Sequence, residues 1–161
     1  MKILEYALNM EIDGEEYYRD QAEKNRGNSL YVVCSMLASE EEHHALLLKS
    51  RIMDKPYELL GVDEVKKEGN VFSFLGDIGA GEREVPGQLD FYRLAAIREK
   101  ESIALYSELM STASSSEDVK LFEFLIGQEE EHLRVLEEII KLLAHAEDWV
   151  ESAEFGNRQD Y

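Results

Sequence analysis

Glu11, Tyr18, Glu41 and His44 recur as Glu99, Tyr106, Glu129 and His132, each displaced by 88 positions with no gap inside the unit. A chain that repeats a pattern in this way is built from two copies of one structural unit. In each copy a lone Glu is followed by a Tyr seven residues on and by a Glu-x-x-His beginning thirty residues on. Together the copies bring four carboxylates and two imidazoles, the donor inventory of a dinuclear metal site.

The unit itself reads as a helical hairpin. Residues 2–53 and 88–147 are rich in Leu, Glu, Ala, Lys and Ile, with apolar positions at three- and four-residue steps. Both prolines, Pro56 and Pro86, and six of the ten glycines fall between residues 54 and 87, so the helix breakers are concentrated in one connector. Inside the first flank, Asn25-Arg26-Gly27-Asn28-Ser29 combines a helix-ending Gly with capping side chains. Inside the second, Ser114-Ser115-Ser116-Glu117-Asp118 supplies serine caps and two acids suited to a helix N-terminus. The expectation is an all-α chain of two hairpins, 2–25 with 29–53 and 89–112 with 117–147. Two hairpins joined by one long crossover make a ferritin-like four-helix bundle; a helical solenoid would need about three repeats or more. The bundle is expected to occupy 1–147, with the crossover at about 54–87 and a tail at 148–161 carrying Trp149, Phe155 and Tyr161, which packs on the bundle or on a partner.

The repeated acids lie where apolar side chains belong. Leu4, Leu8, Glu11, Tyr18 and Ala22 form one stripe on the first helix, and Tyr92, Ala96, Glu99, Ile103, Tyr106 and Met110 form the equivalent stripe on the third. Residues three apart share a helix face, so Glu41 with His44 and Glu129 with His132 each project in one direction. Four carboxylates facing a core repel one another and tend to protonate unless divalent cations hold them ionised. Two such cations balance the four acids and leave the imidazoles neutral. Oxygen and nitrogen donors without thiolate suit iron first, with manganese or a mixed pair as alternatives, rather than structural zinc.

Taken singly, each Glu-x-x-His in a glutamate-rich chain is a solvated helix face. The coincidence argues otherwise: two of only four histidines stand 88 residues apart, each with Glu at minus three. Tyr18 and Tyr106 lie two turns beyond Glu11 and Glu99, where a phenol supports a ligand or simply packs. Glu15 has no acidic counterpart, because the same shift leads to Ile103, so it is expected at the rim, with an extra or supporting ligand as the alternative. Glu40, Glu42, Glu130 and Glu131 are expected on the surface, as are His43 and His145. Gly14 weakens its helix and calls for close packing, against the metals or a facing helix. Cys34 is expected to be a buried hydrophobe.

With 17 basic residues against 35 acids, a formal charge of −18 argues against nucleic acid and anionic membranes as partners. One cysteine rules out an intrachain disulfide, a four-thiolate iron centre and a Cys-x-x-Cys redox pair. No run of 18 apolar residues occurs, and the start of the chain is amphipathic, so a soluble, cytoplasmic protein is expected.

Across both hairpins the chain resembles the ferritin-like di-iron carboxylate proteins, most closely the rubrerythrin-like branch. The resemblance implies that Glu11, Glu41, His44, Glu99, Glu129 and His132 are the metal ligands, with Glu41 and Glu129 bridging two irons and Glu11 and Glu99 terminal. It implies reduction of hydrogen peroxide or dioxygen with electrons from an external donor protein, in a homodimer. Two departures stand out: there is no Cys-rich rubredoxin-like module, and the extra Glu that rubrerythrins tend to carry one turn after the third-helix ligand is Ser102 here. The six-residue set is equally similar to that of bacterioferritin, so a ferroxidase feeding an iron store remains the alternative. A metal-free helical interaction protein is the third reading, disfavoured because the core-facing acids would lack compensation.

Overall fold

A computed structural model describes residues 2–28, 30–60 and 88–156. Four helices account for most of them: α1 (Lys2–Lys24), α2 (Leu30–Ile52), α3 (Gln88–Thr112) and α4 (Ser116–Gly156). The chain divides into two compact units, residues 1–74 and 75–161, so α1 and α2 belong to the first and α3 and α4 to the second.

In the first unit α1 buries a single narrow stripe, Ala7, Glu11, Tyr18 and Ala22, spaced four, seven and four residues apart. Leu4 and Leu8, expected on that stripe, are only half-buried, and Ala7 takes the central place. The helix ends where Asn25 donates from both its backbone N and its Nδ2 to Gln21 O, at 3.1 and 2.8 Å. Gly27 then turns the chain at φ 97°, a conformation that costs glycine nothing. Asn28 Oδ1 accepts from Leu30 N at 3.0 Å and starts α2, while Asn28 Nδ2 holds Asn25 Oδ1 at 3.0 Å. At the far end of α2, Lys55 N donates to Ser50 O at 2.9 Å and Asp54 N to Arg51 O at 3.2 Å, with Asp54 at φ 53°. This is a Schellman stop, with Pro56 immediately after it.

In the second unit α3 buries Leu89, Tyr92, Ala95, Ala96, Glu99, Tyr106 and Leu109. Ser115 opens α4: its Oγ accepts from Asp118 N at 3.0 Å and its carbonyl from Val119 N at 3.2 Å, with Glu117 and Asp118 in the first turn. Leu121, Leu125, Leu136 and Ile139 on α4 are fully buried. Each such side chain contributes roughly 1.5–3 kcal/mol.

The helix limits fall within a residue or two of those expected, except at the end of α4. That helix does not stop at residue 147 but continues to Gly156, the first glycine after Gly127. No breaker interrupts the stretch, and Asp148, Ser152 and Ala153 lie on it exposed. The crossover from residue 61 to 87, with the Phe72-Ser73-Phe74 stretch, lies outside the described residues, as do Tyr161 and the side chains of Trp149 and Phe155. Among the described residues no helix is long and apolar enough to cross a membrane.

Candidate metal centre

In the first unit α1 contributes Glu11 and α2 contributes Glu41 and His44. His44 Nδ1 stands 3.4 Å from Glu11 Oε2 and 3.9 Å from Glu41 Oε2. In the second unit α3 contributes Glu99 and α4 contributes Glu129 and His132. There His132 Nδ1 stands 3.7 Å from Glu99 Oε2 and 3.2 Å from Glu129 Oε2. All six residues are buried, none more than 4% exposed. The same ring nitrogen faces the carboxylates in both units.

Within each unit the three donor atoms lie inside 4.8 Å of one another, close enough to share one ion. The chemistry fits a metal. Carboxylates brought this close out of water repel each other, and a divalent cation removes the repulsion while a neutral imidazole adds a nitrogen donor. Two carboxylate oxygens and one nitrogen, without sulfur, form a donor set that iron and manganese accept.

Tyr18 and Tyr106 are both buried, but against different partners. Tyr18 meets the neighbouring Tyr17 edge-on, ring centroids 5.7 Å apart at 67°, whereas Tyr106 stacks on Phe122 at 6.2 Å and 21°. Glu15 sits at the rim, paired with Arg19 at 2.7 Å, and Arg19 reaches across to Glu42 on α2 at 3.0 Å. The hydrogen bond with Glu15 is the main cause holding the Arg19 guanidinium above its ordinary pKa. Glu42, Glu130, Glu131 and His145 are exposed, as expected, and Cys34 is buried.

Two surroundings differ from expectation. Glu40 is buried rather than on the surface. It lies 100° from Glu41, but α2 buries eleven residues over a wide arc of its circumference, and a neighbour at that angle stays inside it. His43 is half-buried, its Nε2 lying 2.7 Å from Leu60 O, which ties the chain after α2 back onto that helix. A partner that is a backbone oxygen seventeen residues away leaves no mark in sequence spacing. Gly14 meets the expectation of close packing: a Cβ built there would lie 3.2 Å from Glu41 Oε2.

Helical hairpins that each withdraw two carboxylates and an imidazole from water, within reach of one ion, define a carboxylate–histidine class of helical metal-binding protein. The family model described as Rubrerythrin matches residues 2–140, and the chain belongs to that family. Its fold class is accordingly all-α and ferritin-like, with two helical hairpins among the described residues. Membership and the buried carboxylate and imidazole groups together fit a di-iron protein. No curated protein and no solved structure gave a match.

Proposed function

We propose that Glu11, Glu41, His44, Glu99, Glu129 and His132 together hold two iron ions, and that the protein reduces hydrogen peroxide or dioxygen with electrons from an external donor protein. The observation that carries this reading is the duplicated donor set, buried in both units at the same register, in a chain of the rubrerythrin family. When bound, the iron pair supplies two electrons at low cost to a small oxidant. For hydrogen peroxide the balance is two electrons and two protons per peroxide, giving two waters.

The chain's own contribution is to prepare the site. Glu-x-x-His on a rigid helix fixes the direction of one carboxylate and one ring nitrogen before any ion arrives. Burial excludes bulk water, which strengthens every charge interaction inside and lets only small oxidants in. Tyr18 and Tyr106, buried on the same helices two turns from Glu11 and Glu99, would support those carboxylates. The reaction belongs in the cytoplasm, with the protein as a homodimer.

A ferroxidase feeding an iron store is the second reading, and Ser102 favours it. Its Oγ donates to Arg98 O at 3.1 Å at the position where rubrerythrins tend to carry a further Glu. One experiment tests both: metal content and near-ultraviolet and visible absorption of anaerobically reconstituted protein, before and after a stoichiometric pulse of hydrogen peroxide. About two irons per chain and rapid oxidation by peroxide support the reductase. Slow oxidation by peroxide with rapid oxidation by dioxygen, in an assembly far larger than a dimer on gel filtration, supports the ferroxidase. No iron taken up on reconstitution defeats both readings.

A further inference from the structure

The 88-residue shift maps the outer face of α2 onto the outer face of α4, and there the two copies part company. On α2, Val32, Ser39, Leu46 and Met53 recur at seven-residue steps, with Glu42 and Lys49 in the gaps. Met53 directly follows the helix and keeps its register, its N donating to Lys49 O at 3.0 Å. On α4 the same positions are Lys120, Gly127, Arg134 and Lys141, with Glu130 and Glu137 in the gaps. All six on α4 are exposed, and three of them are paired: Arg134 with Glu131, Lys141 with Glu138 at 3.1 Å and Glu137 with Lys100 at 3.9 Å. That is a solvated face.

The helix α2 is built otherwise. Only five of its 23 residues are Asp, Glu, Lys or Arg, against ten of the 23 in α1. It buries eleven residues over a wide arc, yet Val32, Leu46 and Met53 on the remaining side are 43%, 55% and 51% exposed. A helix apolar on all sides belongs inside an assembly. The chain that returns along α2 leaves this side open: with His43 Nε2 tied to Leu60 O, Leu46 one turn further on is still more than half exposed.

The pattern is complementary to itself. Two α2 helices packed antiparallel about a twofold axis between Ala45 and Leu46 bring Glu42 level with the partner's Lys49, and Lys49 level with the partner's Glu42. Leu46 then meets the partner's Leu46 at the centre. Met53 lies over the partner's Ser39, a long side chain against a short one. The Ser39 hydroxyl is already satisfied, its Oγ donating to Ser35 O at 3.0 Å. Among the described residues Lys49 has no ion-pair partner, and Glu42 holds Arg19 while staying exposed. Ile12, exposed and seven residues before Arg19, extends the surface onto α1. Two helices of 23 residues side by side present about 35 by 20 Å, roughly 700 Å², close to the ~800 Å² per partner of a standard interface.

We infer that the outer face of α2 is a self-complementary interface through which two copies of the chain pair antiparallel, Glu42 of each against Lys49 of the other. This gives a surface to the homodimer of the proposed function and rests on that part of it, not on the iron chemistry.

The test measures the mass of the full-length protein by sedimentation equilibrium, with metal content and helix content read on the same samples. Wild type is expected to be a dimer. Leu46→Arg, which installs the residue that α4 carries at this register, is expected to raise the dimer dissociation constant about a hundredfold or more at unchanged helix content. Leu94→Arg, at a similarly exposed apolar position on α3, should leave the dimer as it is. Glu42→Lys and Lys49→Glu are each expected to be monomers, because each sets like charges face to face twice. An equimolar mixture of the two should recover the dimer mass, since the mixed pair brings only opposite charges together. The inference is overturned if wild type is a monomer at every concentration, if the mixed variants stay monomeric, or if Leu46→Arg keeps the wild-type mass, the result that a crossover of the same chain covering this face would give. A dimer that takes up no iron upholds the interface and defeats the metal reading; a monomer that takes up iron does the reverse.

Discussion

The two hairpins carry the same three donors at the same register but build the surroundings from different chemistry. The first turns through Asn25, Gly27 and Asn28, and the second through Ser115. The first crosses between its helices with Arg19 and Glu42 at 3.0 Å, the second with Lys100 and Glu137 at 3.9 Å. Tyr18 leans on Tyr17, whose counterpart is Leu105; Tyr106 stacks on Phe122, whose counterpart is Cys34. What stays fixed is therefore the residue types and their register, and what varies is the means of holding them. The lesson is physical: many packings and caps support one placement of a carboxylate, but only a few residue types can supply its oxygen.

Experiments can break that comparison, beginning with packing. Tyr18→Ala and Tyr106→Ala should each destabilise by about 3–5 kcal/mol in denaturant unfolding, the usual cost of emptying an aromatic core site. A gap of more than about 2 kcal/mol between them would mean that the two slots are not equivalent. Next come the donors. His44→Ala and His132→Ala should each remove about one bound ion per chain and weaken what remains at that set by about a hundredfold, read by metal analysis after gel filtration. Loss of both ions from either change would show that the sets do not act separately.

Stripping metal from the loaded protein sharpens the same point. With free ion at about a hundred times Kd, binding contributes about 2.7 kcal/mol per site and about 5.4 kcal/mol for two sites, so the chelated protein should melt roughly 10–20 °C lower. An unchanged melting temperature would remove the energetic case for bound metal. Ser115→Ala should cost about 1 kcal/mol by taking the cap from α4, with Asn28→Ala costing at least as much because Asn28 Nδ2 also holds Asn25. Arg19→Ala should be the smallest change, about 0.5 kcal/mol and less in high salt, because the Arg19 side chain is half exposed.

Much of this was legible in the residues. Gly27, Pro56 and the serine cluster at 114–116 mark where helices stop and start because their backbone preferences act locally. The four acids and two histidines were legible because duplication repeats their spacing; all six are buried, whereas Leu4, Leu8, Ile103 and Met110 of the expected stripes are only half-buried. The end of α4 was misjudged by composition: the polar, aromatic run after residue 147 looks unlike a core helix, yet it contains no breaker before Gly156. Glu40 escaped because a one-face helical wheel underestimates a helix buried over a wide arc. The cost of Gly14 was visible in its residue type, but its target was not, since Glu41 lies on another helix twenty-seven positions away.

The duplication also has a consequence in time. His132 is added 88 residues after His44, which at about 5–20 residues per second is a delay of about 4–18 s during synthesis. Glu11, Glu41 and His44 thus leave the ribosome as a complete trio before the last member of the other trio exists. The order in which the two sets first meet dissolved ions is written into the order of the codons, and the set beside Gly14 comes first.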